Sequence, residues 1–114
     1  MSKLPANANL IVETAKIEAY LLNLSHPRGA SKANYFLSVG FRREDVEEFA
    51  AALKEHGRTR PIVQESRSTF GEKYQIECQL IAPNGSSRCI RSVWIGEANK
   101  QYRLITAHPV SEKK

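Results

Sequence analysis

The chain has 114 residues, 41% of them hydrophobic and 25% charged, with a formal net charge of +5. That length suffices for one domain with a real core, and no apolar run approaches a membrane span. Cys78 and Cys89 are the only cysteines. They are too few for a disulfide framework and lack a Cys-x-x-Cys partner for a metal, so they are expected to be reduced, in a cytoplasmic protein.

Residues 1–13 read as a leading arm. No apolar stretch follows Lys3, so no secretory signal is expected. Leu4-Pro5 and Asn7-Ala-Asn9 are loop-like, and Leu10, Ile11 and Val12 either dock as a short strand or plug the core. Thr14 is placed to cap a first helix, to about Leu22, with Ile17, Tyr20, Leu21 and Leu24 on its apolar face. Lys16 and Tyr20 share one side of it.

The stretch from His26 to Phe36 begins as a loop and ends as a helix. Pro27 and Gly29 force a turn, and Ser31 is a good N-cap for a second helix from Lys32 to about Val39. His26, Arg28 and Lys32 crowd the start of that helix, where free backbone N–H groups suit a phosphate; the same residues also serve as a capped helix behind a solvated basic loop. Ala33, Phe36 and Leu37 form the buried stripe, and Gly40 ends it. In the third helix Glu44 and Asp45 fall in the first turn. Val46, Phe49, Ala50 and Leu53 line the apolar face, His56 sits in the last turn, and Gly57 closes the helix.

From Arg58 the hydrophobic period changes from 3.6 to 2. Pro61 to Glu65 suits an edge strand, because Pro61 cannot donate to a ladder. Tyr74, Ile76, Cys78 and Leu80 alternate with polar residues, the clearest strand of the chain. Pro83-Asn84-Gly85 reads as a three-residue hairpin loop with a bulge, which sets Tyr74 against Trp94 and Ile76 against Ser92 on a dry face, and Glu77 against Arg91 on a wet one. A two-residue Asn84-Gly85 turn would slip the register by one and move Arg91 to the other face. A strand from Arg88 to Ile95, a loop from Gly96 to Gln101 and a last strand from Tyr102 to Ala107 follow. That strand carries Thr106, with His108 just after it. The expected fold is α+β: about three N-terminal helices on one face of a three- to four-stranded antiparallel sheet. Residues 14–57 form the helical part, 58–109 the sheet and 110–114 a tail, within one domain.

Charge is uneven along the chain. Acidic residues gather at Glu44, Asp45, Glu47 and Glu48; basic ones dominate Arg58 to Arg67 and recur at Arg88, Arg91, Lys100 and Arg103. Such asymmetry steers a polyanion to one face, and it also serves solubility alone. There is no Gly-rich phosphate loop, no Ser–His–Asp signature and no His/Cys cluster at metal spacing, so no metal or cofactor is expected. The remaining His, Arg, Lys, Glu, Thr and Tyr suffice for metal-independent RNA cleavage. His26, His108 or His56 could transfer the proton, with Lys32, Arg91 and Arg103 for charge and Thr106 for positioning. The plainer readings are a cross-strand ion pair for Glu77–Arg91, a strand former for Thr106 and a helix C-terminal residue for His56.

The strings Lys16-Ile-Glu-Ala-Tyr-Leu-Leu22, His26-Pro-Arg-Gly-Ala-Ser-Lys-Ala33, Gly40-Phe41, Pro83-Asn-Gly85, Val93-Trp94 and Arg103-Leu-Ile-Thr-Ala-His-Pro109 resemble a small bacterial domain-of-unknown-function family. Its members stand alone or form the C-terminal tips of polymorphic toxins. The order of helices then sheet is similar, as architecture, to the barnase–EndoU–colicin–RelE ribonuclease superfamily. The resemblance implies an RNA-cleaving toxin fold with its site on the open sheet face, and a small partner, either an antitoxin or an immunity protein. The family's recurrent polar positions fall on Lys16, His26, Lys32, Trp94 and Thr106. The chain departs from the family at His108, usually an aromatic Tyr, and at Arg42, where a Ser or Thr usually caps the third helix.

The leading expectation is therefore a toxin-type ribonuclease with RNA as substrate. His26, Lys32, Arg91 and Thr106 would be catalytic, and Lys16, Arg28, Arg103 and His108 would contact substrate. A non-catalytic partner-binding module and a nucleic-acid binder that does not cleave are the alternatives.

Overall fold

Helices give way to strands at the place where the hydrophobic period changes. The computed structural model describes residues 3–22, 25, 30–69 and 71–110, and gives side-chain surroundings for all of these except 19, 20, 30 and 31. The loop from His26 to Gly29 and the packing of Tyr20 thus lie outside what is described, whereas Ser31 is not the N-cap of the second helix, which already begins at Ala30.

Strand β1 (Asn9–Ile11) is followed by α1, a single α turn (Thr14–Lys16) that widens into a π turn (Ile17–Leu21). Leu22 N–H reaches Ile17 O at 2.8 Å, five residues back, which defines the wider turn. Thr14 does not cap this helix: Glu13 holds the cap position, with no side-chain bond. Helix α2 (Ala30–Ser38) ends as expected at Gly40, whose φ is +108°. The N–H groups of Gly40 and Phe41 return to Leu37 O and Phe36 O, closing the α2 carbonyls in a Schellman motif.

Helix α3 (Val46–Thr59) starts later and ends later than the sequence suggested. Asp45 is its N-cap, its carboxylate accepting from Glu48 N–H at 3.2 Å. The cap therefore lies three residues past Arg42, and the departure from a Ser or Thr there leaves the helix start intact. Gly57 does not terminate α3 but lies inside it, where a Cβ would meet Leu10 Cδ2 and Trp94 Cζ2 at 2.7 Å. Glycine is present here for close approach of helix to sheet rather than for a turn.

Strands β2 (Ile62–Ser68), β3 (Gly71–Ile81), β4 (Ser87–Glu97) and β5 (Gln101–Pro109) complete a sheet of order β1-β5-β4-β3-β2. The sheet has five strands and is mixed, not three or four and antiparallel, because β1 pairs with β5 in parallel. Leu10 is buried there, so the leading arm docks as a strand instead of only plugging the core. Strand β4 runs on to Glu97, which shortens the expected loop to one turn, Ala98–Lys100, with Asn99 and Lys100 left-handed. The Pro83-Asn84-Gly85 hairpin takes the three-residue form: Gly85 has φ +90° and Ala82 N–H meets Ser86 O at 2.9 Å. Tyr74 faces Trp94, Ile76 faces Ser92 and Glu77 faces Arg91, as the cross-strand pairs require.

The cysteines correct a further expectation. Cys78 and Cys89 form a disulfide, because the hairpin places them on neighbouring rungs of β3 and β4.

The core lies between the helices and one face of the sheet. Phe36, Phe41 and Phe49 stack with centroids 4.4 to 6.2 Å apart over Ile76, Ile90 and Trp94, all fully or nearly fully buried. No helix among the described residues is long and apolar enough to cross a membrane.

Candidate functional site

Strand alternation sends the residues between the buried ones to the opposite face. Ile90, Ser92 and Trp94 point at the helical layer, so Arg91 and Val93 point away from α3. On β3 the matching residues are Lys73, Gln75 and Glu77.

Strand β5 joins this face through an irregularity. Its register with β4 shifts between Val93 and Trp94, so that Val93 faces Thr106 while Trp94 faces Leu104. Ile105 is the extra residue, and it resets the phase: Leu104 and Ala107, three apart, are both buried. Thr106 and His108 are thereby carried to the open face. The result is a row across three strands, Glu77 opposite Arg91 and Arg91 opposite His108, with Gln75, Val93 and Thr106 in the next row.

In the first row the Arg91 guanidinium grips Glu77, its Nε donating to Oε2 at 2.6 Å. Glu77 is the more enclosed partner, its side chain 19% exposed against 35% for Arg91. Glu77 Oε1 has no hydrogen bond to a described residue. His108 Nδ1 lies 3.1 Å from Pro109 O. A carbonyl can only accept, so Nδ1 carries the hydrogen, and Nε2 is left as the ring atom that can exchange a proton with a ligand.

Of the sequence-predicted residues, Arg91, Thr106 and His108 thus share one face. His108 belongs to β5 rather than following it. Arg103 is at the far end of β5, clamped by Glu97 (Nε to Oε2, 2.9 Å) and Glu13 (3.0 Å). Its hydrogen bond to Glu97 holds its charged form all the more firmly. Lys16 closes the α turn of α1, and Lys32 rides in the first turn of α2, which packs against β5. His26 and Arg28 lie outside the described residues. Among the described residues no group of His, Cys, Asp and Glu could hold a metal ion.

The sequence pattern places Glu77, Arg91 and either Thr106 or His108 on the face away from the helices, with Glu77 as the ion-pair partner of Arg91. The bulge at Ile105 is what brings His108 into the same row as that pair.

His56 has a different place altogether. It is 1% exposed under α3. Its Nε2 sits 2.9 Å from Cys78 O and its Nδ1 2.9 Å from Ser92 Oγ, which also accepts from Trp94 Nε1–H at 2.8 Å. One assignment satisfies every group: Trp94 N–H to Ser92 Oγ, Ser92 O–H to His56 Nδ1, and His56 Nε2–H to the carbonyl. Burial pushes the His56 pKa down from 6.5 to about 4, with the Arg60 charge adding to the effect. His56 is therefore neutral at pH 7, with both nitrogens committed to holding α3 on the sheet.

Residues 3–111 match the model of a family described as "Domain of unknown function (DUF6883)". No curated protein matches the chain. Among solved structures the chain is similar to one in the "Contact-dependent growth inhibition toxin - immunity protein complex from Klebsiella pneumoniae 342". The likeness has a TM-score of 0.69 at 18% identity and covers 88% of this chain and 99% of that one. At that identity the likeness is one of fold.

Proposed function

We propose that this chain, which belongs to the DUF6883 family, is a toxin-type module that cleaves RNA without a metal at the Glu77–Arg91–His108 row. The observation that carries the reading is the row itself: a carboxylate, a guanidinium and an imidazole on adjacent strands of one open face.

The chemistry follows from what each group can do. Glu77 takes the proton from a ribose 2′-OH, and the oxygen attacks the adjacent phosphorus. Arg91 lies between the other two and neutralises charge building on the phosphorane oxygens. His108 acts from its doubly protonated form: held through Nδ1 by Pro109, it gives the proton on Nε2 to the departing 5′-oxygen and is left with the hydrogen on Nδ1. The products are a 2′,3′-cyclic phosphate and a free 5′-hydroxyl, with one proton taken and one given. Thr106, one row along, positions the substrate. The fold likeness to one chain of a toxin–immunity complex supports a place in a system of that kind and, with it, a small protein partner. The basic net charge of +5 favours a polyanionic substrate.

A non-catalytic partner-binding module is the competing reading. Strand β2 favours it: a seven-residue sheet edge, mostly exposed, with Val63 47% exposed at its bulge.

The deciding experiment is cleavage of purified RNA in excess EDTA, comparing the native chain with Glu77→Gln and His108→Ala. The expected result is cyclic-phosphate ends from the native chain and a rate lower by roughly 10²–10⁴ in each folded variant. Intact RNA with the native chain, or unchanged rates in both variants, overturns the nuclease. Tight RNA binding without product would point to a non-cleaving binder.

A further inference from the structure

A cavity of about 250 Å³ opens at the end of the sheet, just past the row. Its described walls are Tyr35 from α2, Ser87, Arg88 and Cys89 from β4, and Pro109 and Val110 from the end of β5. The ladder fixes its position relative to the proposed site. Arg91 pairs with His108, Ile90 with Pro109, and Val110 N–H donates to Cys89 O at 3.1 Å. The cavity thus begins on the rung next to Arg91 and His108.

Most of the polar groups in its wall are already engaged. Ser87 Oγ donates to Gln79 Oε1 at 2.7 Å, the Cys89 sulfur is in the disulfide, and Pro109 has no N–H. Arg88 is different: it is exposed and forms no ion pair or hydrogen bond with a described residue. Tyr35, half-buried and set edge-on to Phe36 with ring centroids 5.2 Å apart, lines the same cavity. An unspent guanidinium beside an aromatic ring suits a ligand that is part anion and part flat ring. The volume falls short of the roughly 300–1,000 Å³ of sites for drug-sized ligands, so it suits one such unit and not several.

We propose that this cavity is a subsite for the next nucleotide beyond the two that flank the scissile phosphate, with Arg88 on its phosphate and Tyr35 against its base. The inference rests on the reading of the row as an RNA-cleaving site. Arg88 and Arg91 are three residues apart on β4, about 10 Å along the strand, within the joint span of two long side chains. They alternate to opposite faces, so the RNA strand turns around the end of the sheet here instead of lying flat on it.

The test is fluorescence anisotropy with labelled 2′-O-methyl oligoribonucleotides, an eight-mer and a dinucleotide, which cannot be cleaved because the attacking hydroxyl is blocked. Arg88→Ala and Tyr35→Leu are compared with Arg58→Ala, which removes an exposed charge from α3. Arg88→Ala and Tyr35→Leu are expected to weaken the eight-mer roughly tenfold and leave the dinucleotide unchanged. Arg88 is exposed, so its variant remains informative if Tyr35→Leu misfolds. An Arg88→Ala effect equal to that of Arg58→Ala, or equal on both probes, overturns the subsite while cleavage by the native chain leaves the row standing. Failure of the native chain to bind the eight-mer at all overturns both.

Discussion

Ser92 on β4 gives its hydroxyl proton to Nδ1 of His56 on α3 across 2.9 Å, in one of the driest parts of the molecule. The same oxygen accepts from Trp94, so one hydroxyl serves two buried partners. Ser92→Ala removes both bonds and strands an indole N–H and an imidazole nitrogen. The expected loss is roughly 2–4 kcal/mol of stability, read as a shift of the urea midpoint at unchanged slope. A loss below about 0.5 kcal/mol would mean that the network does not hold the helix on the sheet.

The same histidine sets an acid limit on the fold. Its pKa is 6.5 when unperturbed and about 4 when folded. Between these values the unfolded chain holds a proton that the folded chain does not, so stability is whole above pH 6.5 and falls as pH drops toward 4. The full effect is roughly 3 kcal/mol. Glu72 and Glu97 are also held below their ordinary range, Glu72 by Tyr74 and Arg67, Glu97 by Arg103. What they contribute is present above pH 4.5 and is lost below it. Urea titrations from pH 4.5 to 7 therefore isolate His56, and a His56→Gln variant should show a flat profile in that window.

Gly57→Ala tests the contact between α3 and the sheet. In an exposed helix the change would stabilise by about 1 kcal/mol. Here the added methyl meets the Trp94 ring and Leu10 at 2.7 Å. Overpacking should outweigh propensity, with a net loss of about 1–2 kcal/mol in thermal or urea unfolding. A stabilised variant would show that helix and strand can separate freely at this point.

The Cys78–Cys89 bond closes a short loop, with a sequence separation of 11. Thiol titration of the unfolded, unreduced protein should find no free cysteine, and full reduction should release both. Cys89→Ser should cost about 3 kcal/mol relative to the oxidised chain, chiefly by freeing the unfolded state. Two reactive thiols before reduction would return these residues to the reduced state that the sequence suggested.

Local chemistry made a good part of this fold legible in the amino-acid sequence. Gly40 after an apolar stripe marks a helix end because only glycine enters that left-handed cap cheaply. Alternation from Tyr74 to Leu80 declares a half-buried strand, and Pro83-Asn84-Gly85 sets the register that places Glu77 against Arg91. These signals act between residues close in the chain, or across one tight hairpin. Other features depend on segments far apart in sequence. Leu10 becomes a strand only because β5 offers an edge, and Gly57 stays helical because Trp94, remote in the chain, fills the space of its missing side chain. The bulge at Ile105 arises because Leu104 and Ala107 both find places in the core, and that choice turns Thr106 and His108 toward Arg91. Periodicity within one strand could not show this, since the phase of the strand was set by what it packs against.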